Sequence, residues 1–516
     1  MEIEPQLLGS SNPPHILIFP LPMQGPVNSM LKLAELLILS ADNIHATFLT
    51  TDVVYHQLIV SARAKERFDR NPRFSFRTFS DGLPNDHPRG GDKFLEMLDA
   101  VKAVSHPIVR EIVSSGDTHT SSSETNQTLE VVLSPLVTCI VSDGLYNFAL
   151  DVGNEVGIPV FYFETMSPSC LWVYLCLPKL VEAGEVPFTE NSDLDALLVN
   201  VPGMDGYLRR RDLPDFCRAR DATDDIMLQR VLGQVQQMQR AQGIILNTFE
   251  DLDSHLLSYM RSHCSIPIYT IGPLHSSLKE RLQANALSSN QPFVYSDHSN
   301  SLWQEDRNCM AWLDKQPLRS VIFCSFGSQV VITKEQLTEF LHGLVDSKTL
   351  FLWMNRPGSV IGLEENYEML EKQVLMHGDL LKGIKKNGCI VSWVPQVEVL
   401  SHPAIGGFLT HGGWNSVIES VVAGVPMVCW PHYVDQLVNS RLATEVWKLG
   451  VDIKDSCNRA IVEKVVRDIM CLRRDELLEN ATKMANLAST SVQKGGTSYE
   501  SMKNLIKDME SLTSQI

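Results

Sequence analysis

A glycine turn in the last quarter of the chain has the residues of a phosphate-binding site. The turn His411–Gly413 stands between an apolar stretch of strand character, 407–410, and a stretch of helical spacing. Two adjacent glycines let the backbone approach a phosphate group closely. The unpaired N–H groups at the helix start, near Asn415 and Ser416, favour an anion there together with the helix dipole. This spacing therefore predicts a site for a phosphate or diphosphate.

Side chains on either side of this turn suit the other parts of a nucleotide and a sugar. Glu419 lies four residues after Asn415, on the same helix face, where its carboxylate can accept hydrogen bonds from ribose hydroxyls. Trp393, at the end of a predicted strand, offers a flat ring on which a base can stack. Asp435 and Gln436 add oxygen acceptors and an amide donor suited to sugar hydroxyls. This one segment thus carries the groups that a nucleotide sugar requires.

The elements around these residues alternate strand, glycine turn, helix and strand. In the first half, a strand at 15–19 leads through a Pro/Gly turn into a helix at 26–39, and a second strand at 46–49 follows. Such βαβ units imply a parallel sheet with right-handed crossovers. The second half repeats the pattern, with strands at 320–325 and 407–410. Ligands of such sheets lie at the carboxyl ends of the strands.

The chain has 516 residues, more than one hydrophobic core usually organises, so two domains are expected. We predict two Rossmann-like, doubly wound α/β domains that face a cleft. The N-terminal domain is placed at 1–275 and the C-terminal domain at 311–495. Residues 276–310 lack sustained periodicity and are rich in polar residues, which predicts a linker or surface excursion. Residues 496–516 are predicted to form a helix that packs back on the N-terminal domain.

Charge and composition exclude several classes of partner. The formal net charge is −17 and no Lys/Arg-dense stripe occurs, which argues against nucleic acids and anionic lipid surfaces. The eleven cysteines are scattered without a Cys-x-x-Cys pair, as is typical of a reducing compartment. Neither a signal peptide nor an apolar run long enough to span a membrane is recognisable. We therefore expect a cytoplasmic protein without integral membrane contact.

The segment from Trp393 to Gln436 resembles the signature box of plant secondary-product (family 1) UDP-glycosyltransferases. It reads WVPQVEVLSHPAIGGFLTHGGWNSVIESVVAGVPMVCWPHYVDQ and has the characteristic length of that box. Similarity continues in the opening HILIFPLP, in PGM and RDLP near Pro202 and Arg211, in LNTFEDLD from Leu246, and in SFGS and GGTS. The resemblance therefore covers both halves of the chain and implies the GT-B type of fold, with two Rossmann-like domains across a cleft.

The resemblance also implies a role for each residue of the predicted site. Trp393 would stack on uracil, Gln396 would lie beside the uridine and Glu419 would bind the ribose. The residues implied for phosphate are His411, Asn415, Ser416 and Ser328; those for the hexose are Trp414, Asp435, Gln436 and Thr165; and Val394, Gly413 and Tyr433 complete the substrate-binding set. The last glutamine favours glucose over galactose, and the tryptophan of the turn disfavours glucuronic acid.

One residue of the family's pattern is missing. Members of this type carry a histidine in the first loop, within a phrase like QGH, that removes the acceptor proton. Here the phrase is Gln24-Gly25-Pro26. Proline suits the first turn of a helix but has no ionisable group. The carboxylate that partners the histidine in the family remains as Asp143, which is the candidate catalytic residue, with a helix N-cap as its alternative role.

Three mechanisms remain open at this point. Asp143 acts as a weak base, directly or through water; or another side chain, with His87, His432 and Glu164 as candidates, fills the vacated place; or the acceptor is itself an acidic hydroxyl, such as a carboxylic acid, a phenol or a hemiacetal. General-base catalysis is typically worth about 10²- to 10⁴-fold. Its loss is survivable where alignment and phosphate stabilisation persist.

The sequence thus predicts an inverting, UDP-glucose-dependent glucosyltransferase for a small apolar acceptor, a terpenoid, iridoid or phenolic hydroxyl or carboxyl. UDP-glucose is a co-substrate; no cofactor, metal or nucleic acid is expected, and the protein is expected to be monomeric. The segments LPMQGPVNSMLKLAELL and VPGMDGYLRRRDLP resemble the branch with iridoid (7-deoxyloganetic acid-type) glucosyltransferases. Residues of the loops at 83–110 and 164–190 are expected to determine which acceptor binds. The alternative, motivated by Pro26, is a sugar-nucleotide-binding protein with lost or strongly reduced transferase activity.

Overall fold

Two parallel β-sheets, one in each half of the chain, organise the protein. They are seen in a computed structural model. The residues that it describes are 13–62, 67–115, 135–189, 191–218, 225–289, 299–362, 378–453 and 457–513.

The first sheet has seven strands, all paired in parallel. They are β1 His15–Phe19, β2 His45–Thr51, β3 Phe74–Phe79, β4 Cys139–Asp143, β5 Val160–Glu164, β6 Gly243–Leu246 and β7 Ile268–Thr270. Their order is β3-β2-β1-β4-β5-β6-β7. The chain order reverses between β1 and β4, and ligands of such sheets bind where this reversal opens a crevice.

Helices cover both faces of this sheet. They are α1 Gln24–Ser40, α2 Asp52–Ala62, α3 Phe94–Ser115, α4 Asn147–Val156, α5 Pro168–Glu182, α6 Ile226–Met238, α7 Ser254–His263 and α8 Leu274–Ser289. Their ends follow local chemistry: Ser167 caps α5 by accepting from the Cys170 N–H at 3.1 Å, and α4 ends at Gly157 in the left-handed conformation. Helix α1 carries Pro26 in its first turn, where no backbone donor is needed.

The second sheet has six parallel strands. They are β8 Val321–Ser325, β9 Leu350–Met354, β10 Gly388–Val391, β11 Ile405–Thr410, β12 Met427–Cys429 and β13 Gly450–Asp452. Their order is β10-β9-β8-β11-β12-β13, with the reversal between β8 and β11. The two sheets confirm the prediction of two Rossmann-like, doubly wound domains.

The helices of the second half complete the fold. They are α9 Asn308–Leu313, α10 Lys334–Asp346, α11 Gly378–Asn387, α12 Gln396–Leu400, α13 Trp414–Ala423, α14 Asp435–Arg441, α15 Arg459–Arg467, α16 Arg474–Val492 and α17 Thr497–Leu512. Across the described parts of the chain, no helix has the length and apolar character needed to cross a membrane.

Apolar packing and two indole hydrogen bonds join the domains. One core cluster contains buried side chains of both halves, among them Leu252 and Trp414. The Trp414 Nε1–H donates to the Asn247 carbonyl at 3.0 Å, and the Trp447 Nε1–H donates to the Asp253 carboxyl at 3.1 Å. Each of these bonds satisfies a buried donor that would otherwise be unpaired.

The last helix, α17, lies on the first domain. Its buried side chains Leu505 and Met509 belong to the core cluster that contains β1 and α1. Its Asp508 accepts a hydrogen bond from the Tyr269 hydroxyl of β7 at 2.6 Å. The chain therefore returns from the second domain to the first at its end.

The region 276–310 differs from the linker or surface excursion that its composition predicts. Its first part belongs to α8, which contacts α1 and buries Leu274 and Leu278 completely or nearly so. With Leu282 these leucines form a stripe one residue wide on an otherwise polar helix. Such a narrow stripe gives little helical periodicity, although it is enough to dock the helix. Residues 290–298 lie outside the described part.

Helix α8 offers a direct test of this packing. Replacing Leu278 with Ala removes a fully buried side chain, so we expect the free energy of unfolding to fall by ~2–4 kcal/mol, with a lower melting temperature in calorimetry. Leu287→Ala, on the same helix but 82% exposed, should leave it nearly unchanged. Equal effects of the two substitutions would contradict the docking of α8.

Candidate active site

A cavity of about 1040 Å³ opens at the carboxyl ends of both sheets, between the domains. All predicted substrate-binding residues line it: Thr165, Ser328, Trp393, Val394, Gln396, His411, Gly413, Trp414, Asn415, Ser416, Glu419, Tyr433, Asp435 and Gln436. Pro26 lines it from the first domain, whereas the candidate catalytic Asp143 is not among the lining residues. The structure therefore brings the predicted substrate-binding residues together around one cavity, and the candidate catalytic residue Asp143 is not part of its lining.

The turn between β11 and α13 has the geometry expected of a phosphate site. Gly412 has a φ of +81°, a left-handed conformation that favours glycine. Burial lowers the pKa of His411 to about 3, so the imidazole is neutral, and its Nδ1 has no hydrogen-bond partner in the structure. Positive potential for a diphosphate comes therefore from the backbone N–H groups and the dipole of α13 rather than from this ring.

The side chain of Asn415 joins the two domains. Its Nδ2 donates to the Gly25 carbonyl at 3.1 Å, and its Oδ1 accepts from the Ser29 hydroxyl at 2.9 Å. Both partners belong to the first turns of α1. The Asn415 side-chain amide, which the resemblance implies for phosphate, is thus bonded to protein groups here. The backbone N–H groups of Asn415 and Ser416 are therefore the hydrogen-bond donors that α13 offers to a phosphate.

The nucleoside end of the site is a hydrogen-bonded network around Gln396. Its Nε2 donates to Glu419 Oε2 at 2.8 Å and to the Ser416 hydroxyl at 3.0 Å, while its Oε1 accepts from the Ser325 hydroxyl at 3.3 Å. Burial raises the pKa of Glu419, and the positive charge of Lys32 opposes that rise. The carboxyl implied to bind ribose is therefore fixed in position and depends on nearby charge to stay ionised.

Two residues that sequence reasoning missed support Trp393. The Trp303 ring lies 5.8 Å from the Trp393 ring, centroid to centroid, and Arg356 lies 5.4 Å above the Trp303 ring. The Asp306 N–H donates to the Trp393 carbonyl at 2.8 Å. Trp303 and Asp306 belong to the region whose composition predicts a linker, so only an isolated tryptophan in a polar stretch could have indicated this role.

The predicted hexose end lies at the start of α14, whose first two residues are Asp435 and Gln436. Asp435 accepts from the Trp414 backbone N–H at 3.2 Å and from Asn439 at 2.8 Å, and burial raises its pKa to about 6. The Gln436 Oε1 accepts from the His432 backbone N–H at 2.9 Å, which leaves the Nε2 group for a ligand. This pair therefore presents one carboxyl and one amide donor to the cavity.

Val434, the residue before α14, connects the start of this helix to the first domain. It adopts an unusual positive φ of 55° and donates its N–H to Asp215 Oδ1 at 2.9 Å. Asp215 also lines the cavity. The segment from Val434 to Asp435 is thus bonded to both domains, through Asp215 of the first and Trp414 of the second.

Asp143 ends β4 and lies just outside the cavity. Its Oδ1 accepts from the Leu145 N–H at 3.0 Å. Burial raises its pKa to about 6, and its Oδ2 has no partner. It stabilises the turn before α4, although Tyr146 rather than Asp143 is the N-cap of that helix.

Glu164, at the end of the neighbouring strand β5, forms a second buried carboxyl beside Asp143. Its carboxyl occupies the space over Gly144, where a Cβ would overlap it. Burial, together with the negative charge of Asp143, raises the pKa of Glu164 to about 8, and its Oε1 is unpaired. At neutral pH this pair of carboxyls therefore retains a proton.

The two histidines that could replace the missing base are not among the residues lining the cavity. His87 accepts from the Arg89 N–H at 3.1 Å and lies 3.7 Å from Glu96. His432 packs against Trp430 with ring centroids 4.3 Å apart, and burial lowers its pKa to about 4. Neither ring is positioned to take a proton from an acceptor in the cavity.

Comparisons with known proteins agree with this geometry. The UDP-glucoronosyl and UDP-glucosyl transferase family model matches residues 288–486. The chain is 45% identical over 500 residues to a 7-deoxyloganetic acid glucosyl transferase of Catharanthus roseus, covering 97% of this chain and 98% of that protein. It is 37% identical to a myricetin 3-O-rhamnoside 1,2-glucosyltransferase of Crocosmia x crocosmiiflora, covering 97% and 96%.

Solved structures of similar proteins superpose on this chain. Os79 from O. sativa in complex with UDP has a TM-score of 0.75 and 26% identity, covering 96% of this chain and 100% of that one. Medicago truncatula UGT71G1 complexed with UDP-glucose has a TM-score of 0.74 and 26% identity, covering 97% and 99%. The chain belongs to the family of UDP-glucuronosyl and UDP-glucosyl transferases, and it is a UDP-glycosyltransferase with the GT-B fold.

The carboxyl pair predicts a pH-dependent stability. Because the folded pKa of Glu164 is raised to about 8, the native state keeps a proton that the unfolded chain releases, so stability falls as the pH rises from about 5 to about 8. Glu164→Gln is neutral throughout and should melt higher than the unmodified protein at pH ~8.5, with little difference at pH ~5. Melting by fluorimetry would measure this. The exposed Glu155→Gln is the control, and a pH-independent effect of Glu164→Gln would refute the assignment.

Proposed function

We propose that this protein transfers glucose, with inversion, from UDP-glucose to an acidic hydroxyl of a small apolar, iridoid-type acceptor. The observation that carries the proposal is the cavity between the domains. Its second-domain side has the helix start, the Trp393 ring and the Asp435-Gln436 pair, and its first-domain side contributes apolar side chains together with a few polar ones, Asn28 and Asp215 among them. A polar diphosphate end facing an apolar pocket suits transfer to a poorly soluble acceptor.

The donor end supports a nucleoside diphosphate hexose. The backbone N–H groups at the start of α13 suit the diphosphate, and the network of Gln396 and Glu419 suits the uridine. In these roles UDP would leave toward the helix start as the acceptor oxygen attacks the anomeric carbon. An α-linked donor would then give a β-linked product.

The acceptor end supports a small apolar molecule. Leu21, Met23, Phe94 and Leu95 line it, and Phe216 adds a further aromatic ring. Phe94 and Leu95 fall within the range 83–110 predicted to choose the acceptor, although they begin helix α3 rather than lie in a loop, and Phe216 falls outside that range. Because the relative that is 45% identical is named for 7-deoxyloganetic acid, an iridoid is the acceptor class we propose.

An acidic acceptor is the mechanism that best suits the missing base. Pro26 lines the cavity and has no ionisable group, and the Asp143 carboxyl does not line it. A carboxylic acid, phenol or hemiacetal hydroxyl loses its proton more readily than an alcohol, so it needs less help from a base. Alignment in the cavity and stabilisation of the leaving diphosphate would then supply most of the catalysis.

An acceptor screen tests this function. Purified protein with UDP-glucose and matched sets of iridoid hemiacetals, carboxylic acids, phenols and aliphatic alcohols should give hexosylated products by mass spectrometry. We expect the acidic acceptors to react at least about tenfold faster than the alcohols. Tight UDP-glucose binding without any product would instead favour a sugar-nucleotide-binding protein that has lost its activity.

Restoring the histidine separates the mechanisms. Pro26→His should accelerate alcohol acceptors most, by roughly 10- to 100-fold in kcat/KM, because they depend most on a base. Asp143→Asn alone should change turnover of acidic acceptors little, but it should remove the gain when it is combined with Pro26→His. Near-complete loss of turnover in Asp143→Asn alone would show that Asp143 is the base, and equal acceleration of all acceptors would contradict the acidic-acceptor mechanism.

A cytosolic location accompanies this proposal. All eleven cysteines are free thiols in the structure. Thiols that stay reduced fit a reducing compartment, where small secondary metabolites and UDP-glucose meet.

A further inference from the structure

Two apolar side chains of the second domain are widely exposed although they line the cavity. Val331 is 44% exposed and Ile361 is 61% exposed. Single exposed aliphatic residues are common on protein surfaces and need no explanation. Two of them on the wall of one ligand cavity are different, because a bound apolar molecule would cover them and remove them from water.

The backbone fixes the direction of both side chains. Ile332 and Val360 form a parallel β-bridge. The Ile332 N–H donates to the Ser359 carbonyl, and the Ile361 N–H donates to the Ile332 carbonyl, both at 2.9 Å. The side chains of Ile332 and Val360 are buried in the core of the second domain. Successive residues of an extended chain point to opposite sides, so Val331 and Ile361 both point away from this core.

The loop before α3 brings the first domain against the same part of the second. A Cβ placed on Gly90 would lie 2.2 Å from Oε1 of Gln329, so the backbone of Gly90 packs against that side chain. Gln329 stands two residues before Val331, and Phe94 begins α3 four residues after Gly90. Gln329, Val331 and Phe94 all line the cavity. An apolar lining residue of each domain thus follows closely on one contact between the domains.

A largely buried ion pair holds this loop in place. Arg89, directly before Gly90, donates from Nε to Asp81 Oδ2 at 2.7 Å and from Nη2 to Asp81 Oδ1 at 3.1 Å. Its Nη2 also donates to the Leu83 carbonyl at 3.3 Å. Two parallel bonds to one carboxylate fix both the position and the orientation of a guanidinium. The ion pair therefore anchors the contact between Gly90 and Gln329.

The reacting end of the acceptor belongs to another part of the cavity. The acceptor hydroxyl has to approach the hexose, and the residues proposed to bind the hexose, Trp414 and Gln436 among them, are buried. Val331 and Ile361 are exposed and so lie toward the opening of the cavity. An acceptor that reaches both places has an apolar part beyond the ring that carries the hydroxyl.

We infer that Val331 and Ile361 form an apolar lip of the acceptor pocket, which selects acceptors with an apolar extension remote from the reacting hydroxyl. The inference deepens the proposed function and rests on it, because the acceptor has to occupy this cavity. The first-domain residues then surround the part of the acceptor that carries the hydroxyl, and the lip contacts the extension. Acceptor choice is thereby a property of both domains.

Phenol and 4-butylphenol form a matched pair for the test, because they share the acidic hydroxyl and differ only in an alkyl chain. With saturating UDP-glucose, the KM of the unmodified protein for 4-butylphenol should be about tenfold below that for phenol. In the double variant Val331→Thr/Ile361→Thr this ratio should fall to about twofold, because threonine keeps the branched shape but makes the lip polar. The kcat for each phenol should change by less than about twofold.

Leu318→Thr is the matched control, since Leu318 is 69% exposed in the same domain but does not line the cavity. It should leave the ratio of the two phenols unchanged. The same ratio is also measured as Kd by calorimetry with UDP bound, so that the test does not depend on turnover of phenols. The Kd for UDP itself should be equal in all three proteins, and thermal melting shows that each is folded.

The inference is overturned if the unmodified protein does not prefer 4-butylphenol, or if the double variant keeps the full preference. A weaker Kd for UDP in the double variant would also overturn it, because the two residues would then act on the donor site. Absence of product with acceptors of every class would refute the proposed function itself. Product formation with an unchanged ratio of the two phenols would refute this inference alone.

Discussion

The hydrogen bonds that join the start of α1 to the start of α13 are the constraint on which the site depends. Asn415 bonds to Gly25 and Ser29, so the start of α13 is fixed against the first turns of α1, which also contain Pro26. The residues predicted to bind the diphosphate lie in the second domain, and the apolar group Leu21, Met23, Phe94, Leu95 and Phe216 lies in the first. Their relative position is therefore set by this junction, and direct displacement at a sugar carbon depends on that alignment to within about an ångström.

The sequence could predict which second-domain residues lie together at the cavity, because many of them share one strand, turn and helix. The distance from His411 to Glu419 along the chain is short, and helix geometry fixes it almost entirely. Trp393 follows β10 and Asp435 follows β12, which are separate strands of one parallel sheet, and the carboxyl ends of parallel strands lie along the same edge. The alternation of strands and helices likewise predicted both sheets, since parallel pairing with crossover helices admits few other arrangements.

Contacts between the domains could not be predicted in the same way. The partners of Asn415 lie almost four hundred residues away, and no periodicity links them. Trp303 occupies a stretch whose composition is that of a surface segment. The leucine stripe of α8 is too narrow to stand out. Each of these depends on which surfaces meet after both domains have formed.

The chain passes between the domains twice, and the two passages run side by side. Helix α8 leads out of the first domain, α16 and α17 lead back to it, and α8 and α16 touch. Two adjacent covalent connections resist sliding and twisting of one domain past the other more than they resist rotation about the line on which they lie. Any rotation of the domains about this line would have to break the two hydrogen bonds of Asn415, which fix the arrangement seen here.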